Sequence, residues 1–195
     1  MQLTNLNCNF LGKKFEFYEK IDSTQDEIWR LVEKKEIKNG QLIAANIQTK
    51  GKGTHGRIWH TDEENNIAFS FYVEMNSDVK KLEGITQEIA QIIIKIFEEK
   101  YNIFLQIKSP NDIMCKGKKI GGILTESKIS KNIVKYLVIG IGINTNKMNF
   151  SEDIKNIATS IKKEFNIEIN SADFISEFCN RFERIILVRS EINWK

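Results

Sequence analysis

The chain is poor in the residues that build cross-linked or metal-stabilised frameworks. It contains one proline, three cysteines and two histidines among 195 residues. Cys8, Cys115 and Cys179 are odd in number, lie far apart and form no CxxC pair, so neither a disulfide framework nor a thiolate metal site is predicted. His55 and His60 have no Cys, Asp or Glu neighbours in a zinc-ligand pattern, so no protein-bound metal is predicted either.

Long hydrophobic runs and a strong charge of one sign are also absent. No stretch approaches the roughly 20 apolar residues of a membrane span, and the N-terminus lacks the charged and apolar segments of a secretory signal. The net charge of +3 comes from 29 basic and 26 acidic residues, and dedicated nucleic-acid binders usually show a stronger or more clustered excess. The sequence therefore predicts a cytoplasmic, reduced protein with neither a membrane nor a nucleic acid as partner.

What is present suits a single domain over residues 1–195. Hydrophobic residues make up 41% of the chain, enough for one buried core, and no repeat or linker divides it. Helices are predicted from Thr24, with Glu27 completing a capping box, over 85–100, and on the face marked by Phe174, Phe178 and Phe182. Strands are predicted at 15–19, 41–47, 67–73, 104–108, 120–128 and 134–143. Because hairpins dominate the middle, the predicted fold class is α+β, with a mixed, mostly antiparallel sheet packed against helices.

A glycine-rich segment at 51–59 is the strongest local signal. Three glycines in six residues make a loop whose backbone can approach a ligand closely, and its N–H groups, with Lys52 and Arg57, suit an anion. The spacing fits neither GxxxxGK[ST] nor a GxGxxG that opens a helix, so a P-loop or a dinucleotide fold is not predicted. A flexible surface loop is the alternative interpretation.

Three further segments suggest places where a ligand or a neighbouring chain segment approaches the backbone. Lys108 precedes the turn Ser109-Pro110-Asn111-Asp112, which can aim the lysine into a cleft. Two glycines interrupt the strand at 119–124, and alternate glycines precede asparagines at 140–146, both patterns that are typical of close backbone approach. Taken singly, each segment is equally well interpreted as a turn or as ordinary sheet packing.

Taken together and in this order, these segments resemble the catalytic domain of biotin protein ligases. The family patterns are GRGRxGRxW, KWPND, KxGGIL and GxGINxN, and Ser23-Thr24-Gln25 matches the family's first helix start. The resemblance runs from about residue 15 to residue 182. It implies the class II synthetase-like fold of biotin and lipoate ligases. It also implies an ATP-dependent biotin–[acetyl-CoA-carboxylase] ligase, which forms biotinyl-5′-AMP and pyrophosphate and then transfers biotin to a lysine of a biotin carboxyl carrier protein.

The resemblance also implies roles for individual residues and names the substrates. Biotin and ATP are implied as substrates, with Mg²⁺ accompanying ATP. Lys108 and Arg57 are implied as the catalytic residues, acting on the biotin carboxylate and the phosphate. Biotin-binding residues are implied at Ser23, Thr24, Gln48, Gly51, Gly53 and Gly122. Adenylate-binding residues are implied at Lys52, Trp59, Asn111, Gly142 and Asn144. No residue is implied as a metal ligand.

The sequence departs from the family pattern within the loop and at both ends. Lys52 and Thr54 stand where the pattern has arginines, and since Thr54 carries no charge, weaker retention of biotinyl-AMP is our hypothesis. The residues before Ser23 are too few for a winged helix-turn-helix, so no repressor domain is predicted. The residues after Leu187 are too few for the SH3-like domain of many ligases, which is expected to be absent or truncated.

Two other functions stay open from the sequence. A lipoate or octanoate ligase would share the fold, although the RRxxGGGAVYHD-type segment of those enzymes is not found here. A non-catalytic sensor that holds biotin would share the pocket. The resemblance also leaves a homodimer open as an alternative to a monomer.

Overall fold

The protein is described from a computed structural model that covers residues 1–59, 61 and 66–191. His60 lies outside these residues. The seven strands are β1 (Phe15–Ile21), β2 (Leu42–Gln48), β3 (Ile67–Asp78), β4 (Gln106–Lys108), β5 (Asp112–Cys115), β6 (Lys118–Ser130) and β7 (Ile133–Ile143). The described residues also form four α-helices, α1 (Thr24–Glu33), α2 (Ile85–Tyr101), α3 (Ile161–Phe165) and α4 (Ser171–Arg189).

All seven strands form one sheet, in the order β1-β2-β3-β7-β6-β5-β4. Among the described strands, only β1 and β2 pair in parallel, because α1 crosses between them, and the other neighbours are antiparallel. The predicted α+β class with a mixed, mostly antiparallel sheet is confirmed. Within the described ranges, no helix has both the length and the apolar character needed to cross a bilayer.

The two faces of the sheet are covered by different helices. On one face, the ring of Phe71 lies 5.9 Å and 5.4 Å from the rings of Phe178 and Phe182 on α4, centroid to centroid. On the other face, Ile43 packs against Ile28 of α1 in a smaller core. Since α1 is short, part of this second face is left for other chain segments, and the candidate site lies there.

Most predicted elements are present, and the differences have local causes. The capping box assigned to Thr24 and Glu27 is wrong: Ser23 is the N-cap, and its Oγ accepts from the backbone N–H of Asp26 at 3.3 Å. Strand β4 begins two residues later than predicted, and Phe104, which was predicted to open it, is 68% exposed. Strand β5 was not predicted, since four residues between two turns carry too little periodicity.

The three cysteines are free and buried. Desolvation raises the pKa of the Cys8 thiol to about 12, and burial also raises the pKa of Cys115 and of Cys179. Thiolate is the reactive form of cysteine, so these side chains act as small apolar core residues.

Candidate active site

The floor of the candidate site is a row of residues that crosses five strands. Lys108 on β4 pairs with Asp112, Asp112 with Gly122, Gly122 with Gly142 and Gly142 with Ala68 on β3. Cross-strand partners face the same side of a sheet. Two neighbouring glycines in the row therefore leave bare backbone on the face that α1 only partly covers.

The bare backbone is occupied by a tryptophan from the glycine-rich segment. A Cβ placed on Gly142 would lie 2.4 Å from Cε2 of Trp59, and one on Gly122 would lie 3.7 Å from Cζ3 of the same ring. A side chain at position 142 would overlap the indole in its present place, so the ring can lie there only because residue 142 is glycine. The glycines of the sheet thus accept the chain's own loop as well as any ligand.

The glycine-rich segment is folded back on itself as a narrow hairpin. The N–H of Trp59 donates to the carbonyl of Gly51 at 2.8 Å, and the N–H of Gly53 donates to the carbonyl of Arg57 at 2.8 Å. At the tip, His55 has a left-handed φ of 56°. The Lys52 ammonium pairs with a carboxylate oxygen of Asp26 on α1, which ties the hairpin to the helix.

A first cavity lies between this hairpin, the start of α1 and the glycine floor, with an empty volume of about 450 Å³ including open solvent. Its polar wall is already hydrogen bonded. The Oε1 of Gln48 accepts from the backbone N–H of Thr24 at 2.8 Å and from its hydroxyl at 3.1 Å, and that hydroxyl lies 2.8 Å from Oγ of Ser70. These three side chains are at most 9% exposed. A buried and mutually oriented polar wall favours a ligand with its own N–H and C=O groups.

An ion pair between α1 and the turn that precedes it fixes the start of the helix. The guanidinium of Arg30 donates to both carboxylate oxygens of Asp22 at 2.8 Å. This contact lowers the pKa of Asp22 to about 2. The same carboxylate accepts from the N–H of Ser23 at 2.7 Å. The turn that presents Ser23 and Thr24 to the cavity is therefore held by charge-assisted hydrogen bonds.

A second, more open cavity lies on the other side of Trp59. It shares Gly53, Thr54, Trp59 and Lys119 with the first. Its other lining residues are Gly56, Arg57, Ile58, Asn144, Lys147, Phe150, Ile154, Ile157 and Ala158. Lys147 is 2% exposed, and its ammonium lies 5.4 Å from the centroid of the Phe150 ring. This cavity therefore combines apolar walls with a buried positive charge.

Lys119 stands at the junction of the two cavities. Its Nζ lies 2.6 Å from Oδ1 of Asp112 and 5.8 Å from the centroid of the Trp59 ring. Residues 119 and 122 would face opposite sides of a regular strand, but a bulge in the pairing of β5 with β6 falls between them. The bulge turns Lys119 to the same side as Gly122, as bulges beside functional sites often do.

Eleven of the thirteen residues with implied roles line one or both cavities. Nine line the first cavity: Ser23, Thr24, Gln48, Lys52, Gly53, Trp59, Asn111, Gly122 and Gly142. Arg57 and Asn144 line the second. Gly51, at the base of the hairpin, is buried and lines neither cavity. Lys108 is exposed at the sheet edge, in line with the glycine row but outside both linings. The individual roles stay predictions.

Sequence reasoning did not select four residues that the fold brings to the cavities. These are Gln25, Ser70, Lys119 and Lys147. Ser70 had a signal, as the polar residue between two phenylalanines of an alternating strand, and Lys119 opens the KxGGIL-type segment. The bulge made the orientation of the Lys119 side chain unpredictable from the sequence. No local sequence pattern indicated that Lys147 is buried. Thr54 also lines both cavities, and its Oγ1 accepts from Nδ2 of Asn111 at 3.4 Å.

Known proteins share the sequence pattern and the fold of this chain. Residues 17–144 match the model of the biotin/lipoate A/B protein ligase family. The bifunctional ligase/repressor BirA of Bacillus subtilis is 32% identical over 181 residues, which are 92% of this chain and 55% of that protein. The biotin–protein ligase of Homo sapiens is 26% identical over 88% of this chain and 24% of its own length. The chain spans about half the length of the Bacillus relative.

A solved structure with a similar fold contains both ligands of interest. The biotin protein ligase from Aquifex aeolicus in complex with biotin and ATP superposes with a TM-score of 0.75 at 28% identity, covering 94% of this chain and 74% of that one. The sheet described above is thus the catalytic fold of the solved ligases. With the family match covering most of the chain, we conclude that this protein belongs to the biotin/lipoate A/B protein ligase family.

Proposed function

We propose that the chain is an ATP-dependent biotin protein ligase. It forms biotinyl-5′-AMP and pyrophosphate, then transfers biotin to a lysine of a biotin carboxyl carrier protein. The observation that carries the proposal is the meeting of two cavities at Trp59 and Lys119. A two-substrate condensation needs two adjacent pockets with a cation where the reacting anions meet.

The first cavity suits biotin. The hydroxyls and amides of Ser23, Thr24 and Gln48 can pair with the ureido ring, whose buried N–H and C=O groups would otherwise be left unsatisfied. The glycine hairpin from Gly51 to Gly53 and the floor at Gly122 admit the bicyclic ring close to the backbone. The acyl chain then extends towards Trp59, with the carboxylate near Lys119.

The second cavity suits the adenylate half of ATP. The adenine base can pack against its apolar wall beside Trp59, and Asn144 can hydrogen bond to the polar edge of that base. Arg57, at the rim of the cavity, can bind phosphate oxygens. Asn111 and Gly142 line the first cavity, where Gly142 lies against the Trp59 ring and Asn111 donates to Thr54, which lines both cavities. ATP enters as its Mg²⁺ complex, so Mg²⁺ arrives with the substrate.

In the first step, a biotin carboxylate oxygen attacks the α-phosphorus. A new C(O)–O–P linkage forms, the bond to the β-phosphate oxygen breaks, and pyrophosphate leaves. Two anions must approach each other, so positive charge from Lys119, Arg57 and Lys108 lowers the barrier. Lys108 is exposed at the end of the glycine row. Its long side chain can therefore reach towards ligands that are bound over these glycines.

In the second step, the neutral amine of a carrier lysine attacks the acyl carbon. The C–N bond forms, the C–O bond to AMP breaks, and the amine proton passes to solvent. Closure of the glycine hairpin over the adenylate would exclude water, which otherwise competes with the lysine.

The decisive experiment is an assay with biotin, Mg-ATP and an acceptor domain, following pyrophosphate release and the mass of the acceptor. We expect biotin-dependent pyrophosphate release and a biotinylated acceptor. Lys108→Met and Lys119→Met should each lower the adenylation rate about 100-fold or more. Lys128→Met, an exposed lysine on the same strand as Lys119, is the matched control and should stay within about twofold of wild type.

Substrate competition separates this proposal from its relatives. Pyrophosphate release with lipoate or octanoate but not with biotin would replace it with a lipoate-type ligase. Tight biotin binding without any pyrophosphate release would make the chain a sensor.

A further inference from the structure

The backbone of Lys119 is held by a segment outside the sheet, residues 157–159. The pairing of β6 with β7 begins at Gly121, so Lys119 lies beyond the end of that neighbouring strand. In place of β7, the carbonyl of Ile157 accepts from the N–H of Lys119 at 2.8 Å, and the N–H of Thr159 donates to the carbonyl of Lys119 at 2.9 Å. A bulge leaves part of the strand ladder unpaired, and this segment supplies the missing partner.

The buried side chain of Thr159 ties the same segment to the turn that precedes β6. Its hydroxyl donates to Oε1 of Glu164 on α3 at 2.7 Å. The other carboxylate oxygen of Glu164 lies 3.2 Å from the ammonium of Lys116, three residues before Lys119. The hydrogen bond from Thr159, and then the charge of Lys116, lower the pKa of the Glu164 carboxyl. Hydrogen bonds to a carboxylate are about twice as strong as bonds between neutral groups.

The segment 157–159 is also part of the wall of the second cavity. Ile157 and Ala158 line that cavity, and Ala158 forms a parallel bridge with Lys119. The Lys119 side chain lines both cavities. A ligand that packs against this wall therefore lies directly beside the hydrogen bonds that hold the lysine.

We propose that Thr159 and Glu164 are positioning residues for adenylation: they hold the backbone of Lys119 so that its ammonium lies where the substrate carboxylate meets the α-phosphate. This rests on the proposed function, in which the substrates are biotin and ATP. Neither Thr159 nor Glu164 lines either cavity, so both act through the lysine. Displacing a reacting or stabilising group by about 1 Å can cost up to 100-fold in rate. The binding of each substrate alone depends mainly on the other walls and should change little.

The test compares variants of Thr159 that remove or keep its hydroxyl. Single-turnover pyrophosphate release is followed with saturating biotin and Mg-ATP and without an acceptor protein. Thr159→Val, which removes the hydroxyl at similar volume, should lower the rate about 10-fold, whereas Thr159→Ser should restore it to within about twofold of wild type. The Kd of biotin and that of a non-hydrolysable ATP analogue, each measured alone by calorimetry, should change by less than about threefold in both variants.

A double variant shows whether the loss is transmitted through Lys119. In Lys119→Met, adding Thr159→Val should lower the remaining rate by less than about twofold, because the group that Thr159 positions is gone. A further 10-fold loss in that background would show that Thr159 supports the fold or the cavity wall instead of the lysine, and it would overturn the proposal. A wild-type rate in Thr159→Val alone would overturn it as well.

Glu164 has its own variant and a matched control. Glu164→Leu removes the contacts with both Thr159 and Lys116, and it should lower the rate as much as Thr159→Val does. Glu152→Leu breaks an ion pair with Lys155, formed by a carboxylate side chain that is 87% exposed, and should stay within about twofold of wild type. Equal losses in the two glutamate variants would contradict the positioning role. Wild type that releases no pyrophosphate with biotin would instead remove the proposed function, so the two failures are distinguishable.

Discussion

At the scale of single residues, the site depends on side chains that are missing as much as on those present. Gly142 and Gly122 are adjacent on neighbouring strands, and Trp59 lies over both. The sequence pattern correctly indicated close approach at these glycines. It could not tell that the approaching group is the side chain of Trp59, which lies 83 residues before Gly142 and 63 before Gly122, because no local pattern encodes a contact between distant segments.

Gly142→Ala is expected to weaken nucleotide binding without unfolding the protein. The new Cβ would lie 2.4 Å from the indole, and since Trp59 sits on a loop, the ring should move while the strand stays. Displacing a binding group by about 1 Å can cost up to 100-fold, so we expect the Kd of ATP to rise by about 10- to 100-fold. Calorimetry gives the Kd, and thermal unfolding checks the fold.

The double variant with Trp59→Ala shows whether the clash is the cause. Once the indole is removed, adding the methyl group at position 142 should have almost no further effect on the Kd of ATP. Additive losses in the double variant would mean that the methyl group obstructs the ligand directly. That outcome would remove Trp59 from the explanation.

At the scale of elements, regular periodicity was predictable and its interruptions were not. The long helix α2, whose isoleucines recur at helical spacing, was predicted within one residue of its end. The bulge that turns Lys119 towards the site depends on the pairing of β5 with β6, and β5 itself was not predicted. A residue whose direction is set by cross-strand pairing cannot be placed by reading one strand alone.

One carboxylate of α4 accepts from three consecutive backbone N–H groups of the N-terminal segment. Glu183, which is 4% exposed, accepts from the backbone N–H groups of Asn9, Phe10 and Leu11 at 2.6, 3.0 and 2.9 Å. Three charge-assisted bonds on one buried group make this the strongest tie between the segment and the helix.

Glu183→Gln should therefore destabilise the protein by about 2–3 kcal/mol, because the amide sets an N–H₂ donor against backbone donors. Urea unfolding followed by circular dichroism measures the loss. Glu177→Gln on the same helix, which breaks a surface pair with Arg181, should cost under about 1 kcal/mol. Equal losses in the two variants would contradict the attachment role.

At the scale of the whole molecule, the two faces of the sheet differ: one packs the main hydrophobic core and the other carries the candidate site. The face covered by α2 and α4 holds the main core, whereas the face beside α1 carries the glycine floor and both cavities. The α+β class followed from the pattern of strands and helices. The division of the site into two cavities did not, since it is produced by one hairpin folding over the sheet.

If biotin and ATP are the substrates, as proposed, this division predicts that they affect each other's binding through Lys119. The biotin carboxylate and the ATP phosphates would repel each other at the junction, and the Lys119 ammonium, which lines both cavities, offsets that repulsion. In wild type, a non-hydrolysable ATP analogue should leave the Kd of biotin unchanged or lower it. In Lys119→Met the same analogue should raise that Kd by about fivefold or more, a coupling free energy of about 1 kcal/mol.

Because coupling free energies are reciprocal, biotin must change the Kd of the analogue by the same factor. Calorimetry in both orders of addition checks this for wild type and Lys119→Met. Lys108→Met serves as the comparison, since its side chain lies at the sheet edge outside both linings. If Lys108→Met alone reverses the coupling, the lysine between the anions is Lys108 after ligand binding. If neither variant does, charge at the junction is supplied from elsewhere, for which Lys147 in the wall of the second cavity is the next residue to test.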